Sequence, residues 1–552
     1  MKIITGNADR ADRQPPYAKQ SLARLTNSGY TIRMPFNQRL QTNLHFPIAA
    51  FLLWSFLFAI AYSQSPLYTS NQNQYFLHGF AQAGIGYLKY DWLANTMDPA
   101  PLFSKLVELT VRFLRADVMF YIFYALLMGV YLFGLLAIAS QFPSPATERV
   151  GREIGALTAL LALLFLVHSA GLRFTLTRLL GANWTYVLED GVADQRMLGP
   201  VFEPSVFGVF LLVSVVLFLQ QRPFLAVISA VLAATFHATY VLPAGMLVFT
   251  YMVILWIEQR NLRQPLLVGA LGVITVLPVM AYSYCMFSAT SGEISTQTHH
   301  ILVYFRIPHH ALPDRWLDAT VAVKLVLIAA AIYVVRKTRL FLLLTIPTLL
   351  GIGLTLVQIA IKNDDLALLF PWRISILLVP LSVTVLLTRL VNKALAWLQF
   401  KKNGWFQIIN VFSLGVILIC VLVGGIRFWL DLQRRQSNPE QTLFDYVAAN
   451  KQPGETYLIP VKMQDFRLAT GAPAYIEFKS IPYHDLDVME WYRRINMANR
   501  FYDQPDCAMV PGLLREGITH VVVEGELQST TCAGWKMVYR DSTYHVLALK
   551  LP

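Results

Sequence analysis

The stretch VMFYIFYALLMGVYLFGLLAIAS, residues 118–140, runs for 23 positions without a charged side chain. An α-helix rises about 1.5 Å per residue, so roughly 20 such residues cross the ~30 Å hydrocarbon core of a bilayer. Similar runs occupy 46–64 and 405–425, and short polar connectors separate further apolar runs as far as about Trp429. Runs this long and this frequent read as a multi-pass α-helical membrane protein, not as a water-soluble core.

Composition agrees. Of 552 residues, 55% are hydrophobic and 14% charged, with a mean hydropathy of +0.48, a departure from ordinary globular usage toward membrane proteins. The net charge of +12 calls for no nucleic-acid partner. Its cations lie in an N-terminal arm (Lys2, Arg10, Arg13, Lys19, Arg24, Arg33, Arg39) and in short connectors, and no module of basic residues interleaved with stacking aromatics accompanies them.

Residues 1–45 read as this cytoplasmic basic arm, without the layout of a cleavable signal, so the run 46–64 is expected to stay as a signal anchor. Every second connector should then be basic. Arg149 and Arg152, Arg222, Arg260 and Arg263, the trio Arg336, Lys337 and Arg339, and the group Arg389, Lys393, Lys401 and Lys402 satisfy that rule. The expected spans are 46–64, 118–140, 154–172, 204–220, 223–238, 240–257, 265–287, 317–335, 340–361, 374–391 and 405–428, about eleven in all. An odd count puts the C-terminal region outside. The polar cluster His237, Thr239 and Tyr240 with Pro243 divides 224–257 into two short helices.

The transmembrane part thus covers 46–430, with a long first exterior loop at 65–117. From 431 to 552 the composition is that of a water-soluble α/β domain. Helices are expected at 441–450 and 486–499, strands at 456–460, 474–478 and 518–524, and a terminal hairpin from 535–539 and 544–549. Cys285 and Cys420 sit near apolar runs as small hydrophobes. Cys507 and Cys532 fall in the exterior region, where a disulfide is permitted.

Polar side chains gather in four exterior segments. The first, 65–117, carries Asp91 and Asp98; the second, 173–203, carries Glu189, Asp190, Asp194, Arg196 and Glu203. The third, 288–316, holds His299, His300, Arg306, His309 and His310; the fourth runs from Lys362, Asp364 and Asp365 to Phe370-Pro371-Trp372-Arg373. The Asn183-Trp184-Thr185 sequon has an exterior location but carries no meaning if the source is bacterial.

This plan resembles the GT-C superfamily of membrane glycosyltransferases, which take a sugar from a polyprenyl-phosphate carrier. The likeness covers the whole chain in outline: cytoplasmic N-terminus, many spans, a long first exterior loop with short helices, and an exterior C-terminal domain. The segments Arg-Ile-Pro-His-His (306–310), Phe-Pro-Trp-Arg (370–373), Phe-Arg-Leu-Ala-Thr-Gly (466–471) and Glu-Trp-Tyr-Arg-Arg (490–494) also look like those of bacterial membrane proteins loosely grouped with these enzymes. The resemblance implies sugar transfer in cell-envelope glycan assembly, with the lipid bilayer, a polyprenyl-phosphate-linked sugar and an exterior glycan, lipid or protein acceptor as partners.

In that superfamily an acidic residue or pair shortly after the first span serves as base or metal ligand. Here that place reads Ser70-Asn71-Gln72-Asn73-Gln74, and amides take no proton at neutral pH. The nearest carboxylates are Asp91 and Asp98, the candidate catalytic bases for an acceptor hydroxyl. The alternatives are a helix cap or a loop salt bridge for either residue and, for Asp98 before Pro99, a turn or helix start. Arg306, His309, His310 and Arg373 are the candidates for the departing phosphate, with interfacial snorkelling as the rival for Arg373. His237, Asp194 and Arg196 complete the expected substrate-binding set; the alternatives are an imidazole hydrogen-bonded between helices for His237 and, for Asp194 and Arg196 with Glu203, a group that satisfies itself instead of forming a pocket floor. No metal-binding spacing is evident, and a divalent ion is the one cofactor left open. A transporter of lipid-linked or small solutes, or a non-catalytic envelope protein, is the competing reading; polar groups collected at one face rather than at midplane favour an enzyme or binding protein over the transporter, while the missing acidic pair is an argument for the non-catalytic protein.

Overall fold

Where no water reaches, a backbone must satisfy its own hydrogen bonds, and each long apolar run of this chain does so as a helix. The computed structural model describes residues 47–142, 150–399, 405–504, 507–525 and 535–549. Among the described residues six helices are long and apolar enough to cross a membrane: Val118–Ala139, Ala238–Gln259, Arg263–Phe287, Leu340–Ile361, Asp364–Leu398 and Gln407–Gln436. Gly155–Val167 and Ala170–Leu180 make a further candidate bent by 52°. The bend is built locally, because Ser169 is extended and its hydroxyl accepts the Leu172 N–H at 3.0 Å, starting a new helix in a new direction. Ile48–Tyr62, Pro204–Leu219, Pro223–Phe236 and Ala319–Val334 are apolar but only 10–17 residues long. Every apolar run expected from the sequence is therefore helical, while the length of a full span belongs to about six of them.

His237 breaks the run at 224–257 as its polar neighbours imply. Its own backbone is extended (φ −147°, ψ 106°), ending Pro223–Phe236 before Val241–Gln259 begins. The outer helices turn apolar side chains outward: Val411 and Phe412 are 72% and 71% exposed, and Ile274 63%. Apolar faces this extensive are those of a helical membrane protein, whose lipid-facing surface need not be polar.

The first loop folds into short helices, Gln72–Tyr75, Leu77–Ala83 and Pro101–Leu109, the last continued by a wider turn at Thr110–Leu114. The C-terminal region is a four-stranded sheet of β1 (Tyr457–Leu458), β2 (His520–Glu524), β3 (Trp535–Arg540) and β4 (Tyr544–Leu549), in the order β1-β2-β4-β3. β1 runs parallel to β2; the other pairs are antiparallel. Alternation along β2 serves both faces. Val521 and Val523 pack with Trp491, Ile495 and Phe501 of the helix Asp485–Asp503, and Val522 packs with Leu443, Phe444 and Val447 of Glu440–Asn450. Residues 474–478 do not form the expected strand. Ala474 makes one isolated bridge to Tyr457, and the chain then leaves the sheet because Glu477 is drawn into a buried ion pair. Cys507 is disulfide-bonded and Cys285 and Cys420 are free; Cys532, its expected partner, lies outside the described residues.

The sheet region and the helices belong to one compact unit. Their junction is tight: Tyr87 donates its N–H to the Gly471 carbonyl at 2.8 Å, and a Cβ on Gly86 would lie 2.3 Å from that oxygen. Both glycines have positive φ (+52° and +67°), so Gly86 excludes a side chain by space and by conformation, and Gly471 disfavours one by conformation.

Candidate functional site

The connector between Ala170–Leu180 and Pro204–Leu219 is polar in sequence yet buried in the fold. Glu189, Asp190, Gln195 and Glu203 are all buried. Buried carboxylates need partners, and each has one. Glu189 pairs with Arg173 at 3.2 Å, Asp190 with Arg196 at 2.7 Å, and Glu203 accepts the Ser205 hydroxyl at 2.6 Å. Each also keeps one buried oxygen, Glu189 Oε2, Asp190 Oδ1 and Glu203 Oε2, with no hydrogen-bond partner among the described residues. Burial pushes the Asp190 carboxyl up to about 7 against the pull of Arg196 and Lys324, and raises Glu189 in the same sense.

Ala193 and Asp194 are both left-handed (φ 59° and 52°), and this turn aims the Ala193 carbonyl at His310, whose Nδ1 donates to it at 2.6 Å. Burial and the neighbouring His309 push His310 down to about 3. His310 is thus a neutral imidazole at pH 7, with Nε2 left as an acceptor. His309 stacks obliquely on it, with ring centres 4.1 Å apart, and feels the Asp194 carboxylate.

Cations converge on the same place. Arg373 enters from the short turn Pro371–Ile374, set by Phe370 in a left-handed conformation, and lies over the Tyr240 ring at 5.0 Å. Its charge reaches both His237 and His310. Arg306 lies over Phe478 at 5.2 Å and donates to the Lys479 carbonyl. Neither arginine has a carboxylate partner among the described residues, and the Nε of each is buried without a hydrogen bond there. Burial and the nearby Arg306 charge lower the Lys479 ammonium. Tyr75 packs on His237 with ring centres 5.8 Å apart and shares a hydroxyl hydrogen bond with Tyr483, and Glu203 lies within electrostatic reach of Tyr75, Tyr240 and Lys479.

Of the residues singled out from sequence, Arg306, His309, His310, Arg373 and His237 therefore come together, with Asp194 and Arg196 at the edge through His309 and Lys479. Asp91 is placed one ion pair away. It is fully buried; Oδ2 takes the Arg467 Nε at 2.7 Å and the Ala474 N–H at 2.9 Å, while Oδ1 takes the N–H groups of Leu93 and Ala94. Arg467 also pairs with Glu477 at 3.3 Å. Asp98 accepts the Ala100 N–H at 2.9 Å, just before the helix Pro101–Leu109. Lys479, Tyr75 and Tyr483 were missed by sequence reasoning, since nothing in their local pattern marks them; Glu203 carried the one usable signal, a carboxylate directly before an apolar run. Among the described residues no group of three or more His, Cys, Asp or Glu side chains is arranged to hold a metal ion.

Fold and apolar surface define the class, a helical membrane protein with a polar cluster where its helices meet a small sheet region. Residues 438–498 match a family described as a domain of unknown function, DUF6798. That match takes in the helix Glu440–Asn450, β1, Arg467 and most of the helix Asp485–Asp503, including Glu477 and Lys479. No curated protein matches the chain.

Proposed function

We propose that the protein is a GT-C-type membrane glycosyltransferase that transfers a sugar from a polyprenyl-phosphate donor to an exterior acceptor in cell-envelope glycan assembly. The observation that supports it is a group of cations beside an incompletely paired carboxylate: Arg306 and Arg373, each with a buried Nε that has no partner among the described residues, with Lys479 and Glu203. Guanidinium groups without a protein carboxylate suit a phosphate supplied by a ligand.

In this reading Glu203, not Asp91 or Asp98, is the base. The acceptor oxygen attacks the sugar C1 as its proton passes to Glu203 Oε2, and the C1–O bond breaks with its electron pair leaving on the phosphate. Arg306, Arg373 and Lys479 stabilise that leaving charge. Asp91, with all its near acceptor positions filled, holds the fold. His310 orients the substrate as a neutral hydrogen-bonding group, and His237 packs on Tyr75 and Tyr240 beside it. The reading also carries the eleven-helix topology, with the N-terminal arm cytoplasmic and the sheet region exterior.

The test is ligand-induced stabilisation of the purified protein in detergent. A polyprenyl phosphate should raise the melting temperature, while the matching polyprenol should not. Arg306→Ala and Arg373→Ala should each remove most of the difference, a charged hydrogen bond being worth about 1.5–3 kcal/mol. Equal shifts with alcohol and phosphate would overturn the proposal.

A further inference from the structure

The first exterior loop contains a helix whose outward face is wrong for water. In Pro101–Leu109 and its continuation Thr110–Leu114, Phe103, Val107 and Thr110 are buried against the protein. Leu102, Leu109 and Phe113, spaced i, i+7 and i+11, are 40%, 41% and 70% exposed. At 3.6 residues per turn that spacing is a single stripe. Lys105 and Arg112 flank it and are both paired to Glu108, at 2.6 and 3.1 Å. Arg115 follows, and Lys105, Arg112 and Arg115 together outnumber Glu108 and Asp117.

An exposed apolar stripe edged by cations is the pattern of a helix lying in a membrane interface, with its apolar side against acyl chains and its cations toward headgroup phosphates. The occupant is fixed by continuity. Val118, 57% exposed, opens the span Val118–Ala139 directly after the stripe, so lipid that covers the span reaches Leu114 and Phe113 next. We propose that 101–114 is an interfacial anchor seated in a leaflet containing anionic lipid. It also fixes the depth of the candidate site: Leu77–Ala83 packs on it where Gly79 leaves no room for a Cβ beside Val107, and Tyr75 lies two residues before that helix. The anchor stands whether or not the protein transfers sugar.

The test places the photoreactive residue benzoylphenylalanine at Leu109, at Phe113 and at Met537, an exposed apolar position on β3, in the full-length protein in vesicles of phosphatidylglycerol and phosphatidylcholine carrying radiolabelled phospholipid. Lipid adducts at Leu109 and Phe113 should exceed those at Met537 by at least about fivefold, as expected for an apolar face sunk ~5–10 Å into the interface. Equal yields at all three positions, or an adduct of Phe113 to a discrete protein in native membranes, would overturn it.

Discussion

Asp190 and Glu203 show how one kind of group, a buried carboxylate, serves two ends. Asp190 is buried with one oxygen on Arg196, and burial holds its carboxyl at about 7. Its proton affinity is thus higher folded than unfolded, where a free aspartate titrates near ~4. The folded state binds the extra proton between those values, so this group's contribution falls as pH rises from about 4 to about 7 and is level above. His310 works in the opposite sense: held at about 3, it costs stability as pH drops below ~6.5. Asp190→Asn should accordingly flatten the loss of melting temperature between about pH 5 and 7 without touching the acid limb left by His310. An unchanged slope would show that Asp190 is ionised throughout. Glu203→Gln tests the base directly: it should retain stabilisation by polyprenyl phosphate and lose transfer by roughly 10²–10⁴-fold. The arginines and histidines of the site were legible because each sits in a short polar connector beside an apolar run, where charge is costly unless used. Lys479 and Tyr75 were not, because what sets them apart is their neighbours in space, and those come from connectors hundreds of residues away.

Between elements, the decisive contact is the chain of ion pairs Asp91, Arg467 and Glu477, all three buried. Glu477 goes on to accept the N–H groups of Lys479 and Ser480, at 2.5 and 2.8 Å, and the Lys479 carbonyl holds Arg306. The first loop is thereby tied through three side chains to a cation of the candidate site. Removing one member strands the others, which costs about 3–5 kcal/mol in a buried pair. Asp91→Ala should therefore lower the melting temperature in detergent sharply, and whatever protein remains folded should still be stabilised by polyprenyl phosphate. Loss of that response at full stability would return Asp91 to the chemistry. Gly86→Ala should disrupt the same junction from the backbone side, through a Cβ with no space at the Gly471 carbonyl. This junction also explains the one misread element. Ala474-Tyr475-Ile476-Glu477-Phe478 alternates like a strand, but a carboxylate at its fourth place has Arg467 to meet, and a buried charge outweighs a weak strand preference. By contrast, 518–524 and the hairpin were legible because their β-branched runs have nothing to satisfy but the sheet.

At the scale of the whole molecule, charge and length carry different information. Length picks out six helices as sufficient to span, one bent pair and four shorter apolar helices. Short helices are no obstacle to crossing when packed among longer ones, because a protein-buried segment can end below the headgroups if its terminal polar groups find protein partners. Tyr62, at the end of Ile48–Tyr62, shows how: its hydroxyl donates to the Leu198 carbonyl at 2.8 Å and its own carbonyl accepts from Arg173. In the proposed topology direction rests on the alternation of basic connectors, since Lys and Arg are favoured on the cytoplasmic side. If the last apolar helix, Gln407–Gln436, crosses as the proposed topology requires, Lys402 and Pro552 lie on opposite sides of the membrane. Reporter fusions at those two positions, one enzyme active only in the cytoplasm and one only outside, should give complementary signals. Matching signals would mean that Gln407–Gln436 does not cross, which would leave the sheet region on the side of the basic connector that holds Lys402 and overturn the proposed topology.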